Sequence, residues 1–197
     1  MIGVFYIHGF NSGFKQSTVD ALDNVLNSSE KLFEIHGLQW DSGVDFVTNT
    51  CTLMRDLNQH DYEDIVLIGC SLGGFYARYL ASMISCYCVL INPVVDPSKQ
   101  LINMAGEHVN YVTNKKYSFT KELLQSYSRG MIQLNCNCLT YVSTADLVLP
   151  NNIDYINKYR DLYGKIITTK TNHRIVDYNE LPNFANEVTT FVNTIAG

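Results

Sequence analysis

The strongest constraint on this chain is the run Ile65-Val66-Leu67-Ile68-Gly69-Cys70-Ser71-Leu72-Gly73-Gly74. An apolar stretch rich in β-branched residues drives straight into Gly-x-Ser-x-Gly, and a helix-forming segment from Phe75 to Met83 follows at once. A strand that becomes a helix through one residue must strain that residue's backbone. It also needs glycine on either side, here Gly69 and Gly73, where a side chain would strike the neighbouring strand or helix. The pattern is the sequence form of a nucleophile elbow. It aims a helix N-terminus, whose first N–H groups have no partner inside the helix, at any anion that forms beside Ser71.

The rest of the chain continues the same alternation. Strand-like runs are Ile2–Ile7, Leu32–His36, Ile65–Cys70, Cys86–Ile91, Leu139–Ser143 and Lys165–Thr169. Helical stretches are expected at about Lys15–Leu26, Val44–Asn58, Leu72–Ile84, Asn152–Tyr159 and Leu181–Ile195. The second of these carries Val44, Val47, Cys51 and Met54 on one stripe, and the last carries Phe184, Val188, Phe191 and Ile195. Apolar strands separated by helices predict a sheet of about six strands, mostly or wholly parallel and covered on both faces. Right-handed crossovers make this a three-layer α/β/α sandwich, and residues 1–197 read as one domain. Between Pro93 and Asn135 no strand is expected, only short helical pieces near Ser98–Met104 and Thr120–Tyr127. That segment is too long for a plain crossover, so 97–130 is expected to form a small cap or lid over the active-site edge.

A serine hydroxyl is a poor nucleophile at neutral pH; it needs a base, and the base needs an orienting acid. In a strand–elbow–helix architecture these follow from later loops in the order Ser, acid, His. The histidines after Ser71 are His108, inside the irregular segment, and His173, just past the last strand; His173 is the expected base. Asp146, immediately after the Leu139–Ser143 run, is the expected acid, with Asp96 after Ile91-Asn92-Pro93 as its competitor. The oxyanion needs two donors. The backbone N–H of Leu72 supplies one, and the Gly-rich turn His8-Gly9-Phe10-Asn11-Ser12-Gly13 supplies the other through the amide of Phe10. His8 precedes the nucleophile and is expected to brace its loop. Cys70 is expected to point into the sheet, which disfavours it as the nucleophile.

Lys plus Arg total 14 against 19 Asp plus Glu, a net charge of −5, with no long basic run. Nucleic acid and anionic membranes are thereby disfavoured as partners. The Met1-Ile2-Gly3-Val4 start resembles a core strand rather than a signal peptide, and no apolar stretch has transmembrane length, so the expected location is the cytoplasm. Cys86-x-Cys88 and Cys136-x-Cys138 could be imagined as a four-thiolate zinc site. Both pairs lie in apolar strand-like runs without a knuckle spacer, so all of these cysteines, and Cys51, are expected to be reduced core residues. No metal and no organic cofactor is expected.

Four segments together resemble the YqiA-like small bacterial esterases: Tyr6 to Ser12, Gly69 to Ala77, Ile91 to Val95 and Asn172 to Arg174. The resemblance covers nearly the whole chain and implies a compact α/β-hydrolase fold acting on acyl esters or thioesters. It carries the family's Ser, Asp and His onto Ser71, Asp146 and His173. Departures occur at Cys70, at Asp96 and through the cap. The expected function is a serine hydrolase that cleaves carboxylic (thio)esters of small or medium acyl groups through an acyl-enzyme. The alternative is a non-catalytic α/β-hydrolase scaffold that acts as a binding protein.

Overall fold

A computed structural model of the chain describes residues 1–28, 30–131 and 136–193. In chain order the elements are β1 (Ile2–Ile7), α1 (Gln16–Leu26), β2 (Phe33–Leu38), α2 (Phe46–Leu57), β3 (Ile65–Cys70), α3 (Leu72–Ile84) and β4 (Tyr87–Ile91). Then come α4 (Pro97–Gln100), β5 (Gly106–Val109), β6 (Lys116–Phe119), α5 (Lys121–Ser126), β7 (Asn137–Ser143), α6 (Asn152–Lys158), β8 (Lys165–Thr169) and α7 (Phe184–Asn193).

Six strands form one sheet in the order β2-β1-β3-β4-β7-β8, and every neighbouring pair is parallel. Alternate side chains along each strand face opposite layers. Val4, Val66, Ile68, Val89 and Leu139 pack against Leu22 and Leu26 of α1 and against Phe184, Val188 and Val192 of α7. Phe5, Leu67, Leu90 and Val142 face the other way, onto a layer that includes Phe46 and Leu53 of α2 and Tyr76 and Leu80 of α3. This is the α/β-hydrolase fold, with both faces of the sheet covered as its uninterrupted apolar strands require. The chain leaves β1 toward β2 and leaves β3 toward β4, in opposite directions from neighbouring strands. The carboxyl ends of β1 and β3 therefore open a crevice at a topological switch point, where ligands of such sheets bind.

The structure departs from the sequence reading in the 97–130 segment and on α2. Residues 97–130 do contain strands: β5 and β6 pair as an antiparallel hairpin, His108 opposite Tyr117. Their apolar signal is weak because β5 buries none of its residues and β6 buries only Tyr117 and Phe119. The second difference is the buried face of α2, which is Phe46, Asn49, Leu53 and Leu57, whereas Val47 and Cys51 are exposed. Asp45 caps this helix by accepting from the amides of Val47 and Thr48. The cap starts the helix at Phe46, whose ring packs among Phe75, Tyr76, Tyr79 and Tyr127 and so rotates the apolar stripe. In α7, Phe184 and Val188 are buried as expected, together with Val192, while Ile195 lies outside the described residues. Among the described residues no helix is long and apolar enough to cross a membrane.

The passage from β3 to α3 is tight. A methyl group at Gly73 would lie 2.1 Å from the carbonyl oxygen of Ile7, and one at Gly69 would lie 2.3 Å from that of Gly73. Both obstacles are backbone, which cannot rotate aside. Gly73→Ala and Gly69→Ala are each expected to cost about 3 kcal/mol or more of stability. Cys51→Ala on the exposed face of α2 should stay within about 0.5 kcal/mol. Urea unfolding midpoints check this, and equal midpoints for all three variants would contradict the packing described.

Candidate active site

Ser71 sits between β3 and α3 at φ 55° and ψ −123°. Other positive-φ residues such as Asn11, Asn92 and Asn151 are asparagines, a residue type that tolerates left-handed backbone. Ser71 has no such allowance, and its ψ takes it outside the left-handed helical well, a conformation that costs on the order of 1–3 kcal/mol. It is held by backbone hydrogen bonds. The Ser71 amide donates to the Ile91 carbonyl at 3.0 Å, and the Ser71 carbonyl accepts from Gly74 and Val94, each at 2.9 Å. The turn lifts the serine out of the sheet and makes Leu72, buried in the core, the first residue of α3.

The loop after β1 comes up against this elbow. A methyl group at Gly9 would lie 3.2 Å from Ser71 Cβ, so the absent side chain lets the two backbones approach. His8 lies under the loop with its ring stacked on Trp40 at 5.1 Å. Its Nδ1 donates to the Gly9 carbonyl at 2.9 Å, and the Trp40 indole N–H donates to the His8 carbonyl at 2.8 Å. Burial lowers His8 to about 4, so it stays neutral and braces the loop. Phe10 is half-buried, its ring 4.7 Å from Phe119 of the hairpin. The hairpin is tied to the same loop by polar contacts. Tyr117 donates to Asn11 Oδ1 at 3.0 Å, Asn110 Nδ2 donates to the Ser12 carbonyl at 2.6 Å, and the Tyr111 amide donates to the Asn11 carbonyl at 3.3 Å.

Asp146 and His173 are brought together. His173 Nδ1 lies 2.6 Å from Asp146 Oδ2, with the carboxylate 1% exposed. Asp146 Oδ1 accepts from the amides of Val148 and Leu149, each at 2.8 Å. Burial alone would raise this carboxyl. The His173 hydrogen bond, the two amides and the adjacent imidazole outweigh burial and hold it below the ordinary value. An ionised carboxylate accepts only, so the proton on Nδ1 belongs to His173 and Nε2 is left as the basic nitrogen.

Asn92 fastens this pair to the sheet. Its Nδ2 donates to the His173 carbonyl at 3.1 Å, and its Oδ1 accepts from the Ser143 amide at 2.7 Å. The sequence reading missed Asn92, although an Asn-Pro step directly after a strand is a turn signal that favours left-handed asparagine. Asp96 points elsewhere, bonded to Lys99 Nζ at 2.7 Å and to Ser98 Oγ at 2.5 Å.

Ser71, His173, Gly9 and Phe10 line one cavity of about 440 Å³. Met104, His108 and Tyr111 from the 97–130 segment also reach it. Cys70 borders it too, contrary to the expectation that it points wholly into the sheet; burial pushes its thiol up to about 12, which keeps it protonated. Among the described lining residues Lys15 and Arg174 bring positive charge and no carboxylate is present. The Arg174 guanidinium sits 4.8 Å over the Tyr111 ring, which fixes its place at the mouth.

An α/β-hydrolase fold with a serine elbow and a buried His–Asp pair defines the class of this protein. The chain belongs to the uncharacterised protein family UPF0227, the YqiA-like family, whose model matches residues 3–190. Among solved structures it is similar to mouse alpha/beta hydrolase domain-containing protein 10, with 12% identity, 98% of this chain and 90% of that chain covered, and a TM-score of 0.71. It is similar to Est1E of Butyrivibrio proteoclasticus, seen with ferulic acid bound, at 13% identity over 98% and 90% of the two chains, TM-score 0.70. A third is the monoacylglycerol lipase of Paleococcus ferrophilus, at 15% identity over 98% and 94%, TM-score 0.66. At these identities the likeness is one of fold.

The depressed Asp146 carboxyl makes a signed prediction. A carboxyl held low in the folded state stabilises it fully above the unfolded value and loses that contribution as pH falls through the folded one. The stability gap between the native protein and Asp146→Asn should be widest near pH 7. It should shrink below about pH 4, the ordinary carboxylate value. Urea unfolding across pH 7 to 3 reads this gap, and a gap unchanged at pH 3 would contradict an ionised Asp146.

Proposed function

We propose that this protein is a serine hydrolase that cleaves carboxylic esters or thioesters of small or medium acyl groups. The observation that carries the reading is the buried 2.6 Å contact between His173 and Asp146, beside a cavity that both His173 and the strained Ser71 line. Ser71 Oγ attacks the acyl carbonyl carbon while His173 Nε2 takes its proton. Asp146 keeps the imidazole in the required tautomer and balances the imidazolium that forms. The amides of Leu72 and Phe10 bind the oxyanion, each contributing on the order of 10²–10³ in turnover. His173 returns the proton to the departing alcohol or thiol, and a water activated by the same nitrogen releases the acid and frees Ser71.

Residues 97–130 act as the cap that selects the acyl group, since Met104, His108 and Tyr111 reach the cavity from this segment. Lys15 and Arg174, with no lining carboxylate to oppose them among the described residues, favour substrates that carry an anionic group. The volume of about 440 Å³ suits a small molecule rather than a polypeptide.

A chain-length series of acyl esters and acyl thioesters, each in neutral and carboxylate-bearing forms, tests the reading. Turnover by the native protein is expected, with Ser71→Ala and His173→Ala reducing kcat by about 10⁴ or more. Within the series the carboxylate-bearing members should show the higher kcat/KM. Acyl compounds that bind the native protein without turnover, or turnover unchanged in Ser71→Ala, would instead support the scaffold alternative.

A further inference from the structure

Three of the cysteines outside the active site converge on one point. Cys88 of β4 and Cys138 of β7 are direct partners in the parallel register, and Cys136, two residues before Cys138, falls on the same face. Their sulfurs form a triangle: Cys88 to Cys138 is 2.9 Å, Cys136 to Cys138 is 3.2 Å and Cys88 to Cys136 is 3.9 Å. Cys88 and Cys138 are buried, while Cys136 is half-buried and gives the group an approach from outside. The short spacing within each pair argued against a zinc knuckle; here the sheet pairing supplies the convergence that a knuckle loop would otherwise provide. Cys86 stays apart, its thiol turned to the Tyr87 carbonyl at 3.7 Å.

We propose that Cys88, Cys136 and Cys138 form a binding site for one thiolate-seeking divalent ion of the zinc class. A tetrahedral ion at the usual zinc–sulfur length of about 2.3 Å holds its sulfurs about 3.8 Å apart. The Cys88–Cys136 pair already stands at 3.9 Å, so only Cys138 Sγ, shared by the 2.9 and 3.2 Å pairs, has to swing outward, by about 1 Å. A fourth position is left for water or a carbonyl oxygen, and the carbonyls of Arg78 and Leu162 lie 3.7 Å from Cys136 Sγ and 3.6 Å from Cys138 Sγ. On binding, each S–H bond is replaced by a metal–sulfur bond and the proton leaves to solvent; no electron is transferred. Three thiolates and a divalent ion leave one negative charge. The buried Arg78, whose positive charge already acts on Cys136 and Cys138, offsets it. Chemically the ion would join β4 to β7 near the amino-terminal end of the sheet. Cys88 pairs with Leu67, four residues before Ser71, which puts the site roughly 13 Å from the elbow at about 3.3 Å per residue.

The test uses the full-length reduced protein, dialysed against Zn2+ in one arm and against Cu+ under anaerobic conditions in the other, with metal per chain measured by mass spectrometry. One Zn2+ per chain is expected, and Co2+ in its place should show a thiolate-to-metal charge-transfer band, a readout that needs no variant. Cys136→Ser, at a half-buried position, should weaken Zn2+ affinity by more than the roughly tenfold that loss of an outer-shell partner costs. Cys51→Ser on the exposed face of α2 should leave it unchanged. Retention below about 0.1 Zn2+ per chain would overturn the proposal, as would equal retention by Cys136→Ser or selective uptake of Cu+.

Discussion

The backbone of Ser71 is the constraint on which the rest of the site depends. A non-glycine residue at φ 55° and ψ −123° is not a conformation the chain adopts by itself. It persists because α3 closes onto β3 at Gly69 and onto the end of β1 at Gly73 with no room for a side chain at either, and because the Ser71 amide and carbonyl are bonded to Ile91, Gly74 and Val94. The fold therefore stores local strain in return for one geometric result. The serine oxygen stands clear of the sheet, beside the first amides of a thirteen-residue helix. Because β3 lies at the middle of a parallel sheet, the elbow also sits where the crossovers diverge and the crevice opens.

Around this fixed point the loops are locked in pairs rather than left as independent arms. Asn92 connects the elbow's neighbouring strand to both the start of the Asp146 loop and the His173 loop, so the carboxyl ends of three strands share one side chain. The loop after β1 is held from below by the His8–Trp40 stack and from above by the β5–β6 hairpin. A hydrolytic site needs donors that do not reorganise as charge develops. Hydrogen bonds from Asn110, Tyr111 and Tyr117 to that loop mean that the segment proposed to select the substrate also holds the loop that carries the Phe10 amide.

The sheet and the elbow were legible because their signals are local and strong. Apolar runs such as Ile65–Cys70, punctuated by glycine, admit few alternatives, and the helix Leu72–Ile84 was read to the residue. Asp146 and His173 could be named as expectations because few acids and histidines fall directly after strands, with Asp96 as a competitor that chain order did not remove, and the structure brings these two together. What stayed hidden was set by tertiary contact. The hairpin escaped because β5 and β6 are four residues each and mostly exposed, so no two-residue rhythm stands out. The stripe on α2 was misplaced because the Asp45 cap and the aromatic cluster around Phe46, rather than the valines, decide which face turns inward. The convergence of Cys88 with Cys136 and Cys138 depends on the pairing of β4 with β7, fifty residues apart in sequence, and that register is not written in either pair.

The central claim is that Ser71 is a nucleophile made reactive by the His173–Asp146 pair. Intact-mass measurement after exposure to a fluorophosphonate reads this directly, because the reagent is attacked only by an activated serine. A single adduct per chain is expected, mapping to Ser71 and absent from Ser71→Ala. Its formation should be slowed by orders of magnitude in Asp146→Asn, where the imidazole loses its orienting acceptor. An unmodified native protein, or an adduct that forms equally well on Ser71→Ala, would contradict it.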